Sequence, residues 1–363
     1  MVCRADAGKR VRLVTEIDLT EWDTRRRRRF PPDRWGTLVC RGVWDEGPDV
    51  RTFLLTPDDG SRIEHDPGQF MTFRIETDAG KIERCYTISS SAARDGGIEI
   101  TVKRQSGAGS DQLHATLSRG APIEAFGPSG RFGPAAWPGD AYALIAAGSG
   151  VTPMLSILRT AADRGIDIDA VLIQVAPHTA DLIAAAEMDA LARRLPNLVV
   201  ARMTTREAGS TRLDAGTLTR IVPDLARRTV LCCGPQGFMT MVRAAARAAG
   251  LPPERYGEES FGFSSPEAEI TPSTETPVRS VTFAKSGQVF SCAETTTILS
   301  AVKQAGLPLP SSCARGICGT CKTFKHSGEV IMSHDGGIRQ REIDRGFILP
   351  CVSRPLTDIV LDC

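Results

Sequence analysis

The 363-residue chain has no uninterrupted apolar run long enough to cross a bilayer, and no apolar segment behind its N-terminal charges that would make a secretory leader. A cytoplasmic location is the expectation. Histidine is scarce: His65, His114, His178, His326 and His334 are the whole set, and none stands in H-E-x-x-H or facial-triad spacing. That excludes a motif-borne metallohydrolase or oxygenase centre, so any oxygen activation falls to another protein. Excess charge of either sign is also missing. Forty-four Lys and Arg against 43 Asp and Glu leave a formal net charge of +1, with no global pull toward nucleic acid or membrane. The hydrophobic share of 41% at this length describes a globular chain of two to three domains.

Cysteine is where the sequence is rich. "SSCARGICGTCK" brings Cys313, Cys318 and Cys321 together, and Cys351 follows at a distance, giving C-x4-C-x2-C and a remote fourth thiol. That is the plant-type [2Fe-2S] spacing. Two irons need four converging thiolates, three from one loop and one from another segment. Gly316 and Gly319 suit such a loop, because glycine permits positive φ and a close backbone approach. Zinc sites use paired C-x2-C or Cys/His spacings, and only one C-x2-C occurs here. A disulfide frame is disfavoured by eleven cysteines in a chain of this length. Cys3, Cys40, Cys85, Cys232, Cys233, Cys292 and Cys363 follow no pairing rule and read as packed or incidental thiols.

The composition changes along the chain. Residues 1–34 carry "RRRRRFPPDR" and read as a loose basic arm; docking to an acidic partner is the sharper alternative. Residues 35–136 contain short β-rich runs ("TFLLT", "QFMTFRI", "IEITVKR") between Gly, Pro and Asp turns, the pattern of an antiparallel β-barrel. In residues 137–263 the strands "AYALIAA", "AVLIQVA" and "LVVARMT" alternate with helical stretches, the pattern of an α/β domain on a parallel sheet. Residues 264–277, "SSPEAEITPSTETP", read as a linker, and residues 278–363 hold the cysteine cluster in a module of β-grasp size. That last module carries ten basic and seven acidic side chains, a departure from the strongly acidic plant-type ferredoxins it otherwise resembles.

"RCYTISS" resembles the R-x-Y-[ST]-x-x-S flavin signature of the ferredoxin-NADP reductase superfamily. The resemblance implies that Arg84 offsets pyrophosphate charge, Tyr86 packs on the flavin, and Thr87 and Ser89 hydrogen-bond near its ring and ribityl chain. The residue types suit those tasks: a guanidinium fork grips phosphate and an aromatic face stacks on a heterocycle. "GAGSDQL" resembles the second flavin element, with Gly107, Gly109 and Ser110 opening a helix toward the pyrophosphate. Alone, either stretch could be an ordinary strand or a surface turn. "FGPSGRF" then resembles the turn that leaves the barrel. "GSGVTP", between a strand and a helix, supplies Gly148, Gly150, Thr152 and Pro153 for a pyridine-nucleotide pyrophosphate. "CCGPQ" resembles the C-G-P element, which implies that Cys233, Gly234 and Pro235 border the nicotinamide. A nucleophilic Cys233 is the rival reading, but no base is placed by motif to activate it. "EESF" resembles the E-x-F ending, placing Glu259 and Phe261 near the reactive flavin face.

Together the resemblances imply a multidomain reductase with FAD, a [2Fe-2S] cluster and NADH or NADPH. FAD is preferred to FMN on the separate "GAGS" pyrophosphate element. A nicotinamide gives two electrons at once and a cluster passes one, so a flavin between them completes a two-to-one relay. The domain order resembles reductase components of Rieske-type oxygenases, including those that demethylate betaine-like quaternary amines, and implies an electron-accepting oxygenase component as partner. It also resembles reductases of hybrid-cluster proteins. A stand-alone diaphorase or oxidase could use the same domains, and a non-enzymatic iron–sulfur carrier would show a cluster without flavin. Arg202, Arg206 and Arg212 in and after "ARMTTREAGSTR" offer guanidinium for a 2′-phosphate, with "TRE" resembling the S-R-E element of NADPH-using relatives. NADH is the expectation, on the habit of oxygenase reductases.

Overall fold

Buried apolar side chains from the first strands gather on one side of a sheet, and the sheet curls around them. The computed structural model describes residues 28–32, 34–77, 80–105, 109–261, 276–307, 309, 316, 319, 321–334 and 337–363. Most of the basic arm and of the 264–277 segment, together with Gly107, Cys313 and Cys318, lie outside them. Strands β1 (Gly36–Gly47), β2 (Val50–Pro57), β3 (Phe70–Thr77), β4 (Gly80–Thr87), β5 (Ile98–Lys103) and, after helix α1 (Ser110–Thr116), β6 (Pro122–Ser129) form one antiparallel sheet. Its order is β4-β3-β6-β1-β2-β5. An Ile88–Ile100 bridge and the Ser89 amide donating to the Glu99 carbonyl at 2.8 Å join the two edges into a barrel. Leu38, Phe53, Phe73, Ile88 and Ile100 fill the interior.

The barrel begins earlier than the 35–136 boundary. Phe30 is 5% exposed in this core, its amide donates to the Arg62 carbonyl at 2.9 Å, and a Cβ on Gly36 would lie 2.6 Å from its ring. The arginine run and Pro31–Pro32 mask this anchor in the sequence. The end of the expected loose arm is therefore docked.

The second sheet is parallel. Strands β7 (Ala141–Ala147), β8 (Asp169–Ala176), β9 (Leu198–Thr204), β10 (Thr229–Cys233) and β11 (Tyr256–Glu259) stand in the order β11-β10-β7-β8-β9. Helices α2 (Thr152–Arg164), α3 (Ala185–Arg194), α4 (Ala215–Ile221) and α5 (Gln236–Ala248) connect them. Central strands covered on both faces read as continuous apolar runs, as β7, β8 and β10 do. Helix α2 starts with Pro153 in its first turn and ends on Gly165 at φ 65°, a left-handed cap. It is buried without a break from Thr152 to Ala161, because it lies between the parallel sheet and the barrel.

The third module has β12 (Val278–Phe283), β13 (Val289–Ala293), α6 (Ile298–Gln304), β14 (Thr323–Ser327), β15 (Val330–Met332), α7 (Gln340–Ile343), β16 (Phe347–Ile348), β17 (Ser353–Pro355) and β18 (Ile359–Leu361). A mixed sheet of order β13-β12-β18-β14-β16 packs on α6 through Val281, Phe283, Ile298 and Val302. The Thr297 hydroxyl caps α6, accepting from the Ser300 amide. A barrel, a parallel α/β sheet and a β-grasp-like ferredoxin module thus follow one another along the chain.

Candidate functional site

Strand β4 carries Arg84, Tyr86 and Thr87 opposite Phe73, Met71 and Phe70 of β3. Arg84 Nη1 donates to the Glu83 carbonyl at 2.9 Å. Its side chain meets the turn before α1: a Cβ on Gly109, which has φ 122°, would lie 3.0 Å from Cγ and Nε of Arg84. The fold thereby brings together two elements that lie far apart in sequence, and only glycine fits at the contact. The Ser110 hydroxyl is engaged with Gln105, accepting from its amide at 3.0 Å and donating to its carbonyl at 3.2 Å, which ties the two ends of that loop. Tyr86 packs 6.1 Å from the Phe73 ring, and burial raises its phenol pKa. Thr87 is 5% exposed, and its hydroxyl is buried with no hydrogen-bond partner among the described residues. A buried hydroxyl is rarely left so, and a bound polar group beside β4 would account for it. The residues fit a flavin.

Ser89 is a different case. It is fully buried, and its hydroxyl donates to the Glu99 carbonyl at 3.2 Å and lies 2.9 Å from the Thr101 hydroxyl. The Ser89 side chain, expected at the flavin, is engaged instead with β5 on the outer face of the barrel, opposite the interior Ile88 and Ile100 and on the side where Arg159 of α2 meets Glu99. Counting the signature strictly from Arg84 puts its last serine at Ser90, whose hydroxyl accepts from the Glu99 amide at 3.0 Å.

The second centre lies at the carboxyl ends of the parallel strands. Strand order runs outward from β7 through β8 to β9, then returns to β10 on the other side of β7. Such a reversal opens a crevice at the strand ends. Gly148 (φ 57°) and Gly150 form one lip, Cys233, Gly234 and Pro235 the other. A Cβ on Gly150 would lie 2.2 Å from the Cys233 carbonyl oxygen, and one on Gly234 would lie 3.0 Å from the Ala147 Cβ. The two turns touch through backbone, which accounts for both glycines. The Thr152 hydroxyl donates to the Ser149 carbonyl at 3.0 Å and fixes the first turn of α2. Glu259, 3% exposed, pairs in register with Cys233, and Phe261 beyond it is 42% exposed. Cys233 itself is fully buried. Its neighbour Cys232 is pushed up to about 12 by burial, which keeps that thiol protonated at neutral pH.

In the third module Cys321 and Cys351 are 4% and 6% exposed, and their sulfurs lie 3.2 Å apart. That separation is well beyond a disulfide bond of about 2.05 Å. One metal ion can hold both. Gly316 and Gly319 have φ 70° and 74°; a Cβ on Gly319 would lie 2.7 Å from the Gly337 carbonyl oxygen. Gly319 is therefore held tightly against the chain that leads to Cys351.

Sequence reasoning missed Arg159, which stands 5% exposed within α2, and its partner Glu99. The available signal was a single arginine inside the apolar run "PMLSILRTAA". Of the nucleotide-domain arginines, Arg202 is engaged with Asp189 at 2.8 Å and the Ala185 carbonyl at 2.8 Å.

Comparison with known proteins covers each centre. Residues 44–133 match the oxidoreductase FAD-binding domain, 144–244 the oxidoreductase NAD-binding domain, and 281–356 the 2Fe-2S iron-sulfur cluster binding domain. The chain is 37% identical over 338 residues to the stachydrine N-demethylase reductase subunit of Rhizobium meliloti, covering 90% of this chain and 96% of that one. It is 34% identical over 343 residues to the glycine betaine monooxygenase reductase subunit of Pseudomonas aeruginosa, covering 89% and 94%. The solved phthalate dioxygenase reductase, described as a modular structure for electron transfer from pyridine nucleotides to [2Fe-2S], is 26% identical with TM-score 0.59 over 91% of this chain and 98% of that one. No helix among the described residues is long and apolar enough to cross a membrane. With a flavin cradle, a nucleotide crevice and a thiol pair matched end to end by such relatives, the chain belongs to the ferredoxin-NADP reductase-like family of FAD-, NAD- and [2Fe-2S]-binding oxidoreductases.

Proposed function

We propose that this protein oxidises NADH and passes single electrons to a separate Rieske-type oxygenase acting on a betaine-like quaternary amine, in a cytoplasmic setting that keeps thiols reduced. The observation that carries the reading is the meeting of the Gly150 turn with Cys233 beside Glu259, in a chain that also holds a flavin cradle and a paired-thiol site. The oxygenase assignment draws on the demethylase and monooxygenase reductase subunits above. When bound, the flavin takes two electrons together and the cluster takes them singly.

The proposed roles follow from position. Arg84, Gly109 and the loop of Gly107 and Ser110 hold the flavin pyrophosphate; Tyr86 packs on the ring, and Thr87 gives it a hydroxyl hydrogen bond. Gly148, Gly150, Thr152 and Pro153 present the start of α2 to the nucleotide pyrophosphate. Cys233, Gly234, Pro235 and Glu259 wall the nicotinamide, and exposed Phe261 stands over its approach. Cys313, Cys318, Cys321 and Cys351 ligate the cluster. No general base is needed, so burial of the walls serves to exclude water.

An anaerobic NADH titration followed by EPR tests the relay. The expected result is flavin bleaching together with an S = 1/2 signal from the cluster. Bleaching without that signal favours the diaphorase reading instead.

NADH over NADPH is supported by charge near the ends of β8 and β9. Arg202 is already held by Asp189. The Glu207 carboxylate accepts from the Thr179 amide at 2.7 Å and its hydroxyl at 3.0 Å, and these bonds keep its pKa below the usual range. A 2′-phosphate brought near that carboxylate meets like charge, which disfavours NADPH. Steady-state kcat/KM is expected to favour NADH by about tenfold or more. A clear preference for NADPH, abolished in Arg206→Ala, would reverse the assignment.

A further inference from the structure

Helix α2 has different neighbours at its start and at its middle. Its N-terminus follows the Gly148–Val151 turn at the nucleotide crevice, while its middle lies against the turn that continues the flavin strand β4. Ser156, Arg159 and Thr160, spaced three and four residues apart, share one face. The Ser156 hydroxyl donates to the Ser90 carbonyl at 2.8 Å, and the Ala92 amide donates to the Thr160 hydroxyl at 2.9 Å. Arg159 stands between them. Its Nη1 donates to the Ser89 carbonyl and to Glu99 Oε2, both at 2.8 Å. Its Nε and Nη2 donate to Glu187 Oε1 and Oε2 at 2.7 and 2.6 Å. Glu99 belongs to barrel strand β5, and Glu187 to α3 of the nucleotide domain.

A guanidinium this deeply buried is tolerated only when its donors are met, and these partners come from both domains. The fork is rigid and planar, so it fixes direction as well as distance. The Ser89 carbonyl it holds is two residues from Thr87, and the helix it sits on begins seven residues earlier at Thr152. A short rigid path thus joins the flavin strand to the nucleotide turn.

We propose that Arg159 is a positioning residue for hydride transfer: its four-point bridge between Ser89–Glu99 and Glu187 sets how closely the nicotinamide approaches the flavin. The inference rests on the reading of the Gly148–Gly150 turn as the nucleotide site. Lysine at this place keeps a positive charge and loses the fork. A shift of about an ångström in reacting geometry is enough to slow a reaction by about a hundredfold.

The test uses the full holoprotein, with Arg159→Lys as the main variant and Glu187→Gln as a milder one that keeps the side chain's shape. Stopped-flow reduction by NADH is expected to slow at least tenfold in Arg159→Lys and less in Glu187→Gln, while KM for NADH changes little. The long-wavelength charge-transfer absorbance formed on mixing, which reports nicotinamide–flavin stacking rather than turnover, is expected to weaken in the same order. Hydrogen exchange should rise in both Ser89–Arg94 and α2. Unchanged reduction rate and charge-transfer absorbance, with only a lower melting temperature, would overturn the proposal and leave Arg159 as structural glue. If Arg159→Lys does not fold with its flavin, Glu187→Gln decides on the same readings. Wild-type flavin that NADH fails to reduce would overturn the site reading itself, and this proposal with it.

Discussion

Replacing Cys351 by alanine is expected to abolish the visible bands and the EPR signal of the cluster while NADH still bleaches the flavin. Cys351 is 6% exposed, with its sulfur 3.2 Å from that of Cys321, and it reaches this position from a segment separate from the cysteine-rich loop. No described residue of another type stands in for it, since no group of three His, Cys, Asp or Glu able to hold a metal occurs among the described residues. Electron delivery to a one-electron acceptor should fall by more than the roughly 10–100-fold that loss of an outer-shell partner costs a metal site. Cys292→Ala in the same module is the control. That thiol is buried against the Ala293 and Thr296 carbonyls, and its loss should spare the cluster. Retained cluster absorbance in Cys351→Ala would remove Cys351 from the ligand set.

Gly150→Ala is expected to have the opposite signature: an intact cluster and a flavin that NADH barely reduces. The added Cβ would sit 2.2 Å from the Cys233 carbonyl oxygen and 2.6 Å from its carbon, and both belong to backbone that cannot swing aside. Overpacking of this sort costs about 1–3 kcal/mol. The larger effect is on chemistry, because separating the two lips by about an ångström lowers the rate about a hundredfold. Gly237→Ala, where a new Cβ meets nothing within 4 Å in the first turn of α5, should leave reduction unchanged. Dithionite should still reduce the cluster in Gly150→Ala. Normal NADH reduction in that variant would show that the turn does not govern nucleotide placement.

What could be read from sequence was whatever repeats locally. The runs "AYALIAA" and "LVVARMT" coincide with β7 and β9, and "PMLSILRTAADRG" with most of α2, because strand and helix burial leave a period in neighbouring residues. Glycine motifs were legible for a similar reason: Gly150 and Gly109 are required by contacts that only a missing Cβ allows. Contacts between distant segments left no such trace. The Ile88–Ile100 closure, the insertion of Phe30, and the capture of Arg202 by Asp189 each depend on where two segments meet. Ser89 was misread because adjacent serines on an extended chain face opposite ways, so a one-place slip in counting lands on a hydroxyl that turns to the outer face of the barrel beside Thr101. Arg159 was invisible as a bridge because its partners lie 60 and 28 residues away.

The unbroken burial of α2 between sheet and barrel also bears on how such proteins can be recombined. A chimera that takes the nucleotide domain from one relative and the flavin barrel from another places Ser156–Ser90, Thr160–Ala92 and Arg159–Glu99 across its joint, and the last of these needs a matching side chain on both sides. The residues on the two sides of that contact behave as one inheritable cassette, and a graft that carries α2 without its matching Ser89–Arg94 turn separates a lock from its key.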